Sequence, residues 1–170
     1  MSVAAASRVD AAWAVLAEVL DPEVPALSVV DLGLVREVVE HDDGLEVVLT
    51  PTYSGCPATE LIAQNVLDAV VKAGLGPARV TTRRAPAWSS DWISEQGRSK
   101  LREYGIAPPG PALPDGAQPI RIVGRRAAAV PCPRCGSART EQLSAFGSTA
   151  CKSLHRCLDC LEPFEHFKPI

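Results

Sequence analysis

The sequence has no long hydrophobic run and no recognisable export signal. Nowhere do 18 apolar residues follow one another, which argues against a membrane-spanning helix. The Ala-rich N-terminus carries only Arg8 before the acidic Asp10, unlike a secretory signal. We therefore expect a cytoplasmic protein whose thiols stay reduced. Its six cysteines are then better explained as metal ligands, core residues or reactive thiols than as disulfides.

Enzyme motifs and internal repeats are also lacking. The sequence contains no Ser-His-Asp order, no phosphate-binding glycine loop and no His-rich metal-binding helix. Its 170 residues, 46% hydrophobic and 22% charged, are typical of a globular chain with one small domain and a smaller module. The sequence by itself supports no named enzymatic reaction.

Charge and cysteine content divide the chain into two parts. Residues 1–119 carry 9 basic and 16 acidic side chains, whereas residues 120–170 carry 8 and 4, and five of the six cysteines fall in this second part. A segment rich in proline and glycine at 107–118 can form neither helix nor sheet ladder. We predict a first domain at 1–107, a proline-rich linker with a short strand at 108–130, and a cysteine-rich module at 131–170.

Hydrophobic spacing predicts an α+β fold for the first domain, a small three-stranded sheet with helices on one face. Ser7 is the expected N-cap of the first helix, and Gly74 the expected residue after the second. The predicted order is a helix over 9–20, a hairpin of strands 34–39 and 45–49, a helix over 62–73, a strand over 78–83 and a helix over 91–104.

Four cysteines in the second part have the spacing of a zinc ribbon. Two CxxC pairs, separated by 21 residues, can each direct two thiolates towards one tetrahedral metal ion. Zinc is the expected metal, a single rubredoxin-like iron is the alternative, and an iron-sulfur cluster is a lesser option. Cys151 lies near the second pair. It either has a direct metal or redox role, as a substitute for one of these four cysteines, or is a small apolar residue. The predicted ligands are Cys132, Cys135, Cys157 and Cys160.

Cys56 stands alone between the second strand and the second helix. If Pro57 is the first helical residue, Cys56 is the N-cap and its thiolate is stabilised by the helix dipole. The alternative is a buried structural cysteine. If the first loop folds over this helix, its carboxylates could approach the thiol, although a solvated acidic face is the simpler interpretation. The possible accessory residues are Asp21, Glu23, Asp31 and Thr52.

Several segments resemble a known family. The runs 21–25, 28–35 and 50–60 (Asp-Pro-Glu-x-Pro, Ser-Val-Val-Asp-Leu-Gly-Leu-Val and Thr-Pro-Thr-Tyr-Ser-Gly-Cys-Pro-Ala-Thr-Glu) resemble the domain shared by SufT-like proteins and the cytosolic iron-sulfur targeting factors. The segments 132–135, 146–152 and 162–168 resemble a zinc-ribbon family encoded with the bacterial phenylacetyl-CoA epoxidase. The resemblance implies that Cys56 is the reactive cysteine of iron-sulfur assembly and transiently holds iron or a cluster.

The same resemblance implies an accessory role in phenylacetate degradation rather than an enzyme. The expected partners are epoxidase subunits, above all a reductase that carries a [2Fe-2S] centre and flavin, and a homodimer is plausible. One alternative is a docking subunit without metal transfer. Two others are a nucleic-acid-binding ribbon, disfavoured by the acidic pI of about 5.6, and a thiol enzyme with Cys56 as nucleophile and His41 as base.

Overall fold

A computed structural model of the chain describes residues 7–53, 55–112 and 129–170. The chain folds into two compact units, 1–97 and 98–170. No helix in the described ranges is long and apolar enough to cross a membrane. The elements are α1 (Arg8–Leu16), β1 (Val35–His41), β2 (Gly44–Leu49), α2 (Thr59–Lys72), β3 (Ala78–Thr82), α3 (Glu95–Tyr104), β4 (Ile106–Ala107), β5 (Thr140–Ser144), β6 (Lys152–Cys157) and β7 (Pro163–Phe167).

The first unit is built on a three-stranded sheet in the order β1-β2-β3. β1 and β2 form the predicted antiparallel hairpin, and β3 returns parallel to β2 after α2. Leu45, Val47 and Leu49 alternate along β2 and are fully buried, as expected for the central strand. The helices α1 and α2 contact each other, and α1 also contacts β1 while α2 contacts β3. The predicted α+β sandwich is therefore confirmed.

The first helix is shorter than the sequence predicted. Ser7 is its N-cap and forms a capping box with Asp10, as the sequence indicated. The helix ends at Leu16 because the following residues pair with the next loop: the carbonyl of Val19 accepts the Val29 N–H at 2.8 Å, and Leu20 bridges to Ser28. Leu20, expected on the buried face, is consequently exposed.

The third helix is interrupted where the sequence predicted one element. A 3₁₀ turn at Ser90–Trp92 is separated from α3 because the Ser94 N–H donates to the Asp31 carbonyl at 2.9 Å. The Ser94 hydroxyl in turn accepts the Gly97 N–H at 2.9 Å, which caps the first turn of α3. This contact with the loop around Asp31 is tertiary and leaves no periodic signal in the sequence.

The second unit contains a four-stranded sheet in the order β4-β7-β6-β5. β5, β6 and β7 are antiparallel, and β4 adds Ile106 and Ala107 as a parallel edge strand beside β7. Its small core combines Ala107, Cys132, Cys157 and Phe164. Most of the predicted linker, including the short strand expected within it, lies outside the described residues. The domain limits at 107 and 131 stay a prediction.

Gly33 offers a test of how closely the loop around Asp31 packs against Trp92. It has φ of 66°, and an added Cβ would lie 2.6 Å from the Trp92 carbonyl oxygen; Gly74 has φ of 76° with open space around it. We expect Gly74→Ala to cost about 1–2 kcal/mol from backbone strain alone. Gly33→Ala should cost clearly more, because the Trp92 backbone must also move. Urea unfolding of both variants measures this, and equal losses would contradict the proposed clash.

Candidate functional site

The two CxxC pairs form matching turns in the second unit. In each turn the first cysteine's N–H donates to a carbonyl five residues later, Cys132 to Ser137 at 2.9 Å and Cys157 to Glu162 at 3.0 Å. The residue after the second cysteine has positive φ in both turns. It is Gly136 in the first and Leu161 in the second. The turns are therefore structurally equivalent, and their four thiols face one another.

The four sulfur atoms lie at the separation that one metal ion requires. All are within 4.8 Å of one another, with 3.7 Å between Cys132 and Cys160 and 3.5 Å between Cys135 and Cys157. A tetrahedron with metal–sulfur bonds of about 2.3 Å has edges of about 3.8 Å, whereas a disulfide would need about 2.05 Å. The donor set and its spacing therefore fit a four-thiolate metal centre, and the predicted four-cysteine module is confirmed.

Backbone N–H groups, burial and neighbouring thiols shift the pKa values of two cysteines in this cluster. The N–H of Cys160, followed by that of Asp159, lowers the pKa of the Cys157 thiol to about 6. At Cys160 the backbone N–H of Glu162 lowers the pKa, but burial and the neighbouring thiols outweigh it and raise the pKa to about 12. Cys157 and Cys160 therefore do not ionise together on their own, and a metal ion that binds both must displace protons.

Cys151 and the nearby His155 lie outside the four-thiol cluster of this unit. Cys151 is buried, and its sulfur lies 3.0 Å from the Thr149 hydroxyl. His155 is buried against Phe164 and bonds the Ser153 hydroxyl at 2.9 Å, and burial lowers its pKa. Within the described residues, the cluster sized for a metal ion contains none of these side chains.

The structure corrects the local setting of Cys56. The expected helix start at Pro57 is wrong: α2 begins at Thr59, and its N-cap is Ala58. Cys56 instead closes a turn, in which its carbonyl accepts the Thr59 hydroxyl at 2.9 Å and its N–H donates to the Tyr53 carbonyl at 3.2 Å. Pro57 and Ala58 form a turn ahead of the helix, which the Thr59 N–H closes by donating to the Cys56 carbonyl at 3.3 Å.

The Cys56 thiol is not pre-ionised, contrary to the expectation of a favoured thiolate. Burial is the largest influence and raises its pKa, and the negative charges of Glu23 and Asp21 act in the same direction. Hydrogen bonds from the Ala58 N–H and the Thr59 side chain oppose this shift without cancelling it. The half-buried thiol thus stays protonated near neutral pH in a negative environment.

Two of the possible accessory carboxylates, Glu23 and Asp21, raise the pKa of the Cys56 thiol. Asp21 is also buried, and it accepts the N–H groups of Glu23 at 2.9 Å and Val24 at 2.8 Å, so it fixes the loop that carries Glu23. The carboxylate of Asp31 accepts the Ser28 N–H at 3.2 Å and the Ser94 hydroxyl at 3.2 Å. These bonds hold the first loop, while a role for Asp31 beside the thiol stays a prediction.

Thr52 and His41 occupy different ends of the hairpin. Thr52 is half-buried in the loop that leads to Cys56, and its accessory role also stays a prediction. His41 ends β1 and bonds the Glu46 carboxylate at 2.9 Å, opposite the start of β2. The Cys56 loop follows the other end of β2, roughly 17 Å away for a six-residue strand. His41 is thus poorly placed to act as a base for Cys56.

Sequence reasoning missed two groups that favour the thiolate of Cys56. The Ala58 N–H and the Thr59 side chain both lower its pKa, and the Thr59 hydroxyl donates to the Cys56 carbonyl at 2.9 Å. The threonine three residues after the cysteine is a local signal of such a turn, because a hydroxyl at this spacing commonly bonds the preceding backbone. The backbone donor of Ala58 leaves no trace in residue identity.

Metal content tests the four-thiolate centre. Substitution of any one of the four ligands by serine should lower the bound metal per chain severalfold and destabilise the second unit, because three thiolates leave the ion's shell incomplete. Cys151→Ser is the control and should keep the metal of the wild type. Metal analysis of the purified proteins gives the answer, and loss in Cys151→Ser equal to that in Cys135→Ser would contradict the assignment.

The raised pKa of Cys56 predicts slow alkylation. At pH 7.5 the Cys56 thiol should react more slowly than free cysteine, and its rate should rise with pH through a midpoint above that of free cysteine. Glu23→Gln should shift this midpoint to lower pH, whereas Glu18→Gln, which removes an exposed carboxylate elsewhere, should not. Mass spectrometry of the Cys56 peptide measures the rates, and a midpoint below that of free cysteine would overturn the prediction.

Comparison with known families divides the chain in the same way. Residues 9–82 match the family described as iron-sulfur cluster assembly protein, and residues 117–168 match the PaaD zinc beta ribbon domain. An auxiliary factor for Fe-S protein maturation from Porphyromonas gingivalis is 34% identical over 88 residues, which are 51% of this chain and 83% of the relative.

Solved structures are also similar to part of this chain. A DUF59 domain of unknown function from Bacillus anthracis has a TM-score of 0.49 and 28% identity, covering 55% of this chain and 91% of that one. Rv1466 from Mycobacterium tuberculosis, a protein associated with [Fe-S] complex assembly and repair, has a TM-score of 0.34 and 34% identity, covering 62% of this chain and 94% of that one.

One relative is similar along the whole chain. This Escherichia coli protein, whose name describes it as a subunit of a 1,2-phenylacetyl-CoA epoxidase, is 42% identical over 170 residues, which are 100% of this chain and 98% of the relative. The chain therefore belongs to the PaaD family, in which it joins an iron-sulfur cluster assembly domain to a zinc β-ribbon.

Proposed function

We propose that this protein is a non-catalytic accessory subunit of a phenylacetyl-CoA epoxidase and helps to mature an iron-sulfur or metal centre of that complex through Cys56. The observation that supports the proposal best is the setting of this thiol in the assembly domain. Cys56 is half-buried, its carbonyl accepts the Thr59 hydroxyl at 2.9 Å, and burial together with the charges of Glu23 and Asp21 raises the pKa of its thiol. The full-length similarity to the E. coli epoxidase protein supports the epoxidase context.

A protonated thiol beside carboxylates suits a transient cationic cargo. Negative charge nearby opposes loss of the thiol proton, but an arriving iron ion or cluster would offset that charge, and the proton would leave as the sulfur–iron bond forms. Glu23 and Asp21 would then favour the bound cation. With one cysteine supplied by this chain, the cargo would be held weakly enough to pass on.

The ribbon would hold a structural zinc ion. Four thiolates in two matching turns form a closed tetrahedral shell, which is typical of structural zinc and leaves no open position for chemistry. The small core of this unit supports a metal contribution to its folding. A single iron ion is the alternative occupant, and its visible absorption would distinguish it from colourless zinc.

The proposed client is the reductase of the epoxidase, which would carry the [2Fe-2S] centre, and the proposed compartment is the cytoplasm. The domain limits of 1–107, 108–130 and 131–170 remain part of this proposal, with Ile106 and Ala107 at the end of the first range supplying the edge strand β4 to the sheet of the second unit. His41, the base that a thiol enzyme would use, bonds Glu46 at the far end of β2 from the Cys56 loop. A homodimer would be compatible with the same role.

The decisive experiment compares wild type, Cys56→Ser and Cys151→Ser, all purified without oxygen. We expect zinc near one per chain in all three proteins, with substoichiometric iron and acid-labile sulfide absent only from Cys56→Ser. Each protein is then mixed with cluster-free reductase, and the recovery of the reductase's cluster absorption is followed. Cys56→Ser should slow this recovery at least tenfold, and Cys151→Ser should leave it unchanged.

The opposite result points to a different role. If all three proteins hold zinc alone and the reductase recovers its cluster equally well with each, the transfer role of Cys56 is excluded. The protein would then be a docking component of the epoxidase complex.

A further inference from the structure

Two separate sequence segments of the second unit fold into one surface. The loop 146–152 and the strand segment 162–168 are joined through Glu165, whose carboxylate accepts the Ser148 N–H at 2.5 Å and pairs with the Lys152 ammonium at 2.8 Å. The Gly147 N–H also donates to the Lys152 carbonyl at 2.8 Å. An added Cβ on Gly147 would lie 2.5 Å from a Glu165 oxygen, so the loop leaves no room for a side chain there.

The ion pair beneath this loop is strongly shielded from water. The Lys152 side chain is 3% exposed and that of Glu165 is 22% exposed. Burial raises the pKa of Glu165, but Lys152 and Ser148 lower it by more, so the carboxylate stays charged. A buried ion pair contributes little net stability, because the loss of hydration offsets the attraction between the charges. What this pair does provide is a fixed loop conformation.

The fixed loop presents an aromatic ring and a positive charge side by side. Phe146 is 63% exposed, and the Lys168 ammonium lies 4.3 Å from its ring centroid. Within the described residues Lys168 forms no ion pair with a carboxylate. An exposed phenylalanine on a rigid loop loses little conformational entropy on binding, and aromatic side chains of this kind often dominate interfaces.

We propose that Phe146 and Lys168 form a docking surface for a protein partner that offers an apolar pocket with a carboxylate at its edge. The ring would fill the pocket, and the partner's carboxylate would pair with the Lys168 ammonium. The surface lies at the start of β6, whereas the metal ligand Cys157 lies at its end, so docking would leave the metal centre free. The proposal rests on the proposed place of this chain in the epoxidase complex, which supplies the partner.

Binding of the full chain to purified epoxidase subunits tests the proposal. The probes are the reductase and the oxygenase subunits, each titrated with wild type, Phe146→Ala and Lys168→Gln at low and high salt. Phe146→Ala should weaken Kd for one of them by about 10- to 100-fold, the effect of one large apolar side chain lost from an interface. Lys168→Gln should weaken binding mainly at low salt and reduce its salt dependence.

Tyr104→Ala is the matched control, because Tyr104 is 54% exposed in the same unit but ends α3, just ahead of β4, the edge strand opposite β5 in the sheet. It should leave Kd within about twofold of wild type. All variants should retain the wild-type metal content, which shows that the unit is folded. Binding that survives Phe146→Ala, or that is lost equally in Tyr104→Ala, would overturn the proposal.

A wild-type protein that binds none of the epoxidase subunits would also overturn it. That result is separable from the role of Cys56, because the iron and sulfide content of Cys56→Ser is measured without any partner. Conversely, docking through Phe146 would stand if Cys56→Ser retained all its iron.

Discussion

The second unit depends on the geometry of four sulfur atoms. Cys132 and Cys157 are members of its small core as well as of the four-thiol cluster, so the ligands and the packing share the same side chains. A unit with so small a core would gain much of its stability from an ion bound by these thiolates. Because Cys157 ends β6 and Lys152 begins it, such an ion would also anchor the strand that follows the loop with Phe146.

The first unit shows a different use of cysteine. Its core is conventional, with an alternating buried strand and two helices that contact the sheet. Asp21 and Asp31 bond to backbone N–H groups of the first loop. Burial is the largest cause of the raised pKa of the Cys56 thiol, and Glu23 and Asp21 of this loop raise it further. This arrangement disfavours an isolated thiolate, whereas a cation bound to the sulfur would offset the negative charge.

Local pattern predicted most of both folds. The hairpin, α2 with Gly74 after it, and β3 followed from hydrophobic spacing and turn residues, and the CxxC spacing identified all four members of the sulfur cluster. The failures arose where distant residues intervene. Val29 and Ser28 bond to the residues that were expected to end the first helix, and the Asp31 carbonyl bonds to Ser94 and divides the third. Cys56 lies two residues before Ala58, the N-cap of α2, rather than at the N-cap itself.

The position of β4 is a second feature that local sequence pattern could not predict. Ile106 and Ala107 stand immediately before the prolines, and composition alone places them at the end of the first domain. They pair instead with β7, and Ala107 belongs to the core that contains Cys132 and Cys157. Backbone pairing between strands some sixty residues apart is selected by the exposed edge of β7, and no property of a two-residue segment reveals it. The ribbon sheet therefore begins before the proline-rich segment, and a fragment that starts after that segment would lack both an edge strand and part of its core.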